Sequence, residues 1–245
     1  MKFSALTLLL ALLFAVPGFA AREKAPPDPM APGLSGPARL AALVERVKLE
    51  QRNLKTLEAR FTQEQQSSML TAHEESKGLF SYAAPDKVRW EYASPSPITV
   101  VIRGDEMTTW YRDLKRAEIL KVGRYSNQIF KYLGASGSLQ TLLEYFTVRL
   151  KLPEKKGDLY RMELLPKYQR IAKRLKSMTL WIDSETFFPS RLKYEEADGD
   201  TVEYQFSDFK RNAPIPEERF VVKLPPGVEK RTIDLSREGS AKSKP

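Results

Sequence analysis

From Leu57 onward, apolar residues recur at every second position. Leu57, Ala59 and Phe61 alternate with Glu58, Arg60 and Thr62. Gly78, Phe80 and Tyr82 alternate with Leu79 and Ser81, and Val88, Trp90 and Tyr92 alternate with Arg89 and Glu91. Ile98, Val100 and Ile102 continue the pattern. A period of two places one set of side chains on one face of a strand and the other set on the opposite face, so these runs predict half-buried strands, not helices. Ala84-Pro85-Asp86, Ser94-Pro95 and Gly104-Asp105 separate them with turn residues. Strands over 107–112 and 117–122 complete an antiparallel meander. The alternation resumes over 147–152, 159–165, 178–183, 189–195 and 201–209, with Asp198-Gly199 as a hairpin turn. Residues 220–224 read as a final short strand.

Two segments break the period. Leu40, Leu43, Val44 and Val47 follow helical spacing after Pro37, a residue suited to a first helical turn. Tyr125, Ile129, Tyr132 and Leu133, then Leu139, Leu142, Leu143 and Phe146, are also helically spaced, with Gly134-Ala135-Ser136-Gly137 between them. This predicts a helical hairpin inserted over 123–146. The expected fold is therefore α+β and mainly β: a single curved antiparallel sheet, or incomplete β-barrel, of about eleven strands, with helices covering its concave face. A sheet of that size can hold an apolar cavity as readily as a filled core. Phe80, Tyr82 and Trp90 fall on consistent faces of adjacent strands. Each of them serves equally well as cavity lining or as ordinary core. Trp181 alternates away from Leu180 and Ile182 and is either an outer-face anchor or a partner contact.

The N-terminus carries a targeting signal. Lys2 precedes an unbroken apolar run, Leu8 to Val16, and small residues Gly18 and Ala20 suit cleavage after position 20. The run is shorter than the ~20 residues that span a bilayer. Residues 1–20 are thus expected to be a signal peptide and 21–36 a Pro-rich linker. Residues 37–235 should form the domain and 236–245 a disordered tail. Export points to the periplasm.

Composition removes most catalytic chemistry. The 245 residues include no cysteine and one histidine, His73. That excludes disulfides, thiolate metal sites and a Cys nucleophile, and leaves one candidate for the usual general base. His73 sits in the polar stretch 71–77, read as a solvated turn between strands. No Gly-x-Ser-x-Gly elbow and no Gly-rich phosphate loop occurs, and Ser136 only loosely suggests a nucleophile. The net charge of +9 is dispersed, without the clustered stripe that nucleic-acid binding needs. Neither an enzyme nor a cofactor or metal site is expected.

Several motifs in order resemble the periplasmic outer-membrane lipoprotein carrier proteins of the LolA type. They are Leu57-Glu58-Ala59-Arg60-Phe61-Thr62-Gln63, then Gly78-Leu79-Phe80, then Pro85-Asp86-Lys87-Val88-Arg89-Trp90-Glu91-Tyr92 and Pro95. Val100-Val101-Ile102-Arg103-Gly104-Asp105, Trp110-Tyr111, and Phe220 followed by Pro225-Pro226-Gly227-Val228 complete the set. The resemblance spans about 40–228. Many members carry an arginine before the proline of the third motif, associated with holding a helical lid closed, and here that position is Ala84. Arg89 matches another common arginine, on the next strand, and is the possible polar latch.

The resemblance implies a monomeric carrier without cofactor, whose cargo is acylated lipoproteins. It accepts them from an inner-membrane ATP-binding-cassette release complex and delivers them to an outer-membrane receptor. Phe80, Tyr82, Val88, Trp90, Tyr92, Val100, Ile102, Leu180 and Ile182 are then expected to line the acyl cavity. Ile129, Leu133, Leu139, Leu142, Leu143 and Phe146 are expected on the lid. The alternatives are a half-barrel carrier of another lipid, such as a glycolipid or pigment lipid, and a periplasmic sensor of related fold.

Overall fold

The structure is a computed structural model that describes residues 26–67, 69, 73–121, 143–155 and 157–234. The expected signal peptide, the tail over 236–245 and all of the expected lid except residues 143–146 lie outside these.

Helix α1, Gly36–Arg52, begins where the prolines predict. The Ser35 hydroxyl accepts a hydrogen bond from the Ala38 N–H at 3.4 Å, and Pro37 occupies the first turn, where a missing N–H costs nothing. Leu43, Val44 and Val47 form its buried stripe and enter the main core.

Twelve strands follow among the described residues, in one sheet of order β12-β6-β5-β4-β3-β2-β1-β11-β10-β9-β8-β7. The first meander comprises β1 Thr56–Gln66, β2 His73–Ala83, β3 Lys87–Ser94, β4 Ile98–Arg103, β5 Glu106–Tyr111 and β6 Arg116–Lys121. The second comprises β7 Phe146–Lys151, β8 Leu159–Pro166, β9 Leu175–Asp183, β10 Pro189–Glu196 and β11 Thr201–Arg211. Antiparallel pairing of β1 with β11 joins the two, Leu57 facing Arg211 and Gln66 facing Thr201. Asn212 pins one end of this seam. Its side-chain oxygen accepts from the Lys55 N–H at 2.7 Å and its amide donates to the Asn53 carbonyl at 3.1 Å. The result is an open, curved, mainly β sheet.

Five expectations need correction. The strand expected over 220–224 is absent: Phe220 closes a short 3-10 helix, Glu217–Phe220, and the last strand is β12, Glu229–Asp234. β12 pairs parallel to β6, so the described sheet has twelve strands and is not wholly antiparallel. His73 is not in a turn. It opens β2 opposite Gln66, its side chain exposed, because the backbone ladder with β1 runs on past the apolar residues. Phe146, expected on the lid, is the first residue of β7 and is buried in the core. A short helix α2, Gln169–Ala172, also stands between β8 and β9, where no helix was expected.

Candidate functional site: the inner face of the sheet

Strand register assembles the alternating apolar residues into rows across one face. Val100, Trp90, Phe80 and Ala59 face one another across β4, β3, β2 and β1. Ile98, Tyr92, Gly78, Phe61 and Phe206 form the next row, reaching β11. Gln63, Tyr204, Leu192, Leu180, Met162 and Leu150 form a third, from β1 to β7. All nine residues expected to line a cavity fall on this face. Phe80, Tyr82, Val88, Trp90, Tyr92, Ile102, Leu180 and Ile182 are buried in one cluster, with Val100 packed against it. The same cluster takes in Leu43, Val44 and Val47 of α1.

The centre of the face is aromatic. Phe61 meets Trp90 edge-on at 4.8 Å between ring centres, and meets Tyr92 at 4.9 Å. Trp90 also packs on Phe80 at 4.8 Å and on Tyr204 at 5.5 Å. Such tilted pairs contribute about 0.5–1.5 kcal/mol each beyond area burial. Tyr204 and Phe206 were not among the residues expected at the site, although they stand at alternate positions of β11 with Val202 and carry the same signal. Burial pushes the Tyr92 phenol well above its ordinary range, a shift that its hydrogen bond with Tyr204 only partly offsets. The neutral phenol is therefore a hydrogen-bonding group and not a base.

Arg89 lies on the opposite face. It alternates with Val88 and Trp90, and its guanidinium contacts Glu91 at 3.1 Å and donates to the Arg219 carbonyl at 3.1 Å. It ties down the 3-10 helix that crosses β3 and β4, and so cannot latch a cover on the inner face. Arg112 and Arg219 reach the same Glu91 carboxylate at 3.0 and 2.9 Å. Burial acts to raise the Glu91 pKa, but the three guanidiniums outweigh it and hold the carboxyl at about 2. A groove of about 820 Å³ is lined by Arg60, Lys77, Glu91 and Lys210 and also by the apolar Phe61, Leu79 and Tyr92.

Ala84, at the position of the relatives' arginine, follows β2, packs against the core and donates its N–H to the Lys55 carbonyl at 2.8 Å. Trp181 is on the outer face. Arg191 stacks over its ring at 4.3 Å and Arg161 lies 5.7 Å from it on the other neighbouring strand. Leu143 belongs to one helical turn before β7 and packs against the core. Ile129, Leu133, Leu139 and Leu142 lie outside the described residues. Among the described residues, no group of three or more carboxylates or histidines could hold a metal ion.

Residues 52–223 match the family model described as outer membrane lipoprotein carrier protein LolA. The chain is 28% identical over 206 residues to the outer-membrane lipoprotein carrier protein of Chromobacterium violaceum, covering 82% of this chain and 92% of that protein. It is 26% identical over 178 residues to the protein of the same name from Alkalilimnicola ehrlichii, covering 71% and 76% respectively. A solved LolA superfamily protein from Nitrosomonas europaea aligns with a TM-score of 0.36 and 10% identity, over 69% of this chain and 91% of that one.

Proposed function

The chain belongs to the outer membrane lipoprotein carrier protein (LolA) family, and from that premise we propose that it shields the acyl chains of lipoproteins on its inner face while carrying them through the periplasm. In this reading the protein is a carrier and not an enzyme. It takes cargo from an inner-membrane ATP-binding-cassette complex and gives it up to an outer-membrane receptor. An N-terminal signal peptide over 1–20 would export it.

The observation that supports this reading is topological. β6 and β7 lie towards opposite ends of the sheet, yet they are consecutive strands. The β6–β7 connection is thus the link that joins the two meanders from ends of the strand order that do not pair with each other. We propose that this connection is the lid over the apolar rows, with Leu139, Leu142 and Leu143 turned towards them. Each methylene removed from water is worth about 0.8 kcal/mol, so acyl chains need such cover to cross an aqueous compartment. A lid that packs its own apolar face on the rows makes binding an exchange of similar contacts, which keeps release possible.

Mass spectrometry of material co-purifying with the periplasmic protein tests the proposal. N-acylated peptides are the expected finding. Free glycolipid or other lipid without peptide would overturn lipoprotein cargo in favour of a different lipid.

A further inference from the structure

The inner face is not uniformly apolar. Leu57, Val88 and Ile102 line one end of it. At the other end, near the β1–β2 hairpin, Gln63 and Ser76 face each other as a buried cross-strand pair, beside Tyr204 on β11. Gln63 is 4% exposed, and its side-chain oxygen is buried with no hydrogen-bond donor among the described residues. Trp90 is 3% exposed, and its indole N–H is buried with no acceptor among the described residues. Tyr204 neighbours both: it is the register partner of Gln63, and its ring centre is 5.5 Å from that of Trp90. An unmatched acceptor and an unmatched donor in one apolar cluster are unfavourable unless something else satisfies them.

We infer that Gln63 and Trp90 form a polar subsite for the amide group at the head of an N-linked acyl chain. The inference rests on the carrier reading and deepens it. A secondary amide offers an N–H to the Gln63 oxygen and a carbonyl to the Trp90 N–H. An ester offers the carbonyl alone and leaves Gln63 unmatched. The subsite lies three residues before the end of β1, so the amide sits near the rim and the hydrocarbon runs inward towards Leu57, Val88 and Ile102. An amide is costlier to desolvate than an ester, so a purely apolar site would prefer the ester.

The test uses two synthetic probes that differ only at one linkage: an N-lauroyl peptide and its analogue with the acyl amide N–H replaced by an ester oxygen. Calorimetric titration of the mature protein should give about tenfold tighter binding of the amide, the scale of one well-placed buried hydrogen bond. Gln63→Leu should abolish that preference and keep the thermal transition. Gln63→Met serves in its place if the leucine variant does not fold. Equal binding of the two probes by the wild type, or a preference that survives both substitutions, overturns the subsite. Binding of neither probe by the wild type overturns the carrier reading itself.

Discussion

The ring of Phe61 fills the space beside Gly78 that a side chain there would need. A Cβ added at Gly78 would stand 2.6 Å from Cζ of Phe61, and it would also strike the Glu91 carbonyl oxygen. The two residues face each other across β1 and β2, so the glycine is what leaves room for the ring to reach Trp90 and Tyr92.

Gly78→Ala should therefore destabilise the domain by about 1–3 kcal/mol through overpacking. Urea denaturation reads this directly. Adding Phe61→Leu should recover part of the loss and not all of it, because the Glu91 backbone oxygen stays in place. Unchanged stability of Gly78→Ala would refute the packing described.

Glu91 predicts a defined acid limb. Its carboxyl is held at about 2 in the folded protein against an ordinary value of 4.5. A depressed folded pKa gives stability that is complete above the unfolded value and lost as pH falls through the folded one. The window is thus from about pH 4.5 down to about 2. The group is partly exposed, so solvent screening reduces the contribution to about 1–2 kcal/mol. Glu91→Gln should lose that amount at pH 7 and match the wild type near pH 2. A gap that does not change with pH would contradict the assignment.

Trp110 and Trp181 are on the outer face, and Trp90 is on the inner one. A variant with Trp110→Phe and Trp181→Phe should leave an emission spectrum that responds to an acylated peptide through Trp90. An emission that ignores saturating ligand would place the acyl site elsewhere.

Phe146 and Leu142 should behave in opposite ways. Phe146 is buried in β7, so Phe146→Ala should cost about 3–5 kcal/mol and lower the cooperative unfolding transition. Leu142 belongs to the proposed lid. Leu142→Asp should leave the sheet signal in circular dichroism and increase binding of the apolar dye ANS. Cooperative loss of the sheet in Leu142→Asp would sink the lid proposal.

The inner face was legible because each strand states its burial twice, once in the apolar residues and once in the polar ones between them. Trp90 could be placed from β3 alone, and by the same count Arg89 had to lie on the other side. β12 left no such trace. Five of its six residues are exposed, and it is held by backbone pairing with β6, which does not depend on which side chains it carries. Phe220, Val222 and Leu224 imitate a strand, but Phe220 is buried by a 3-10 turn that follows Pro214 and Pro216. The start of β2 is polar on nearly every residue, so its pairing with Gln63–Gln66 was equally hidden. The subsite at Gln63 needed the structure, because only register sets it beside Tyr204.

The seam between β1 and β11 also has a consequence for how the chain acquires its shape. Within each meander, a strand pairs with the one made just before it, across a short loop. At the seam, Leu57 must find Arg211, with nearly the whole domain between them. Closing so long a loop has an entropic cost before any contact is gained. Each half can therefore assemble quickly from local hairpins, while the union of the halves should set the refolding rate. Until then, β1 and β11 present unpaired edges. A chain exported unfolded would cross this exposed stage outside the cytoplasm, where the order in which its halves emerge decides how long the first edge waits for the second.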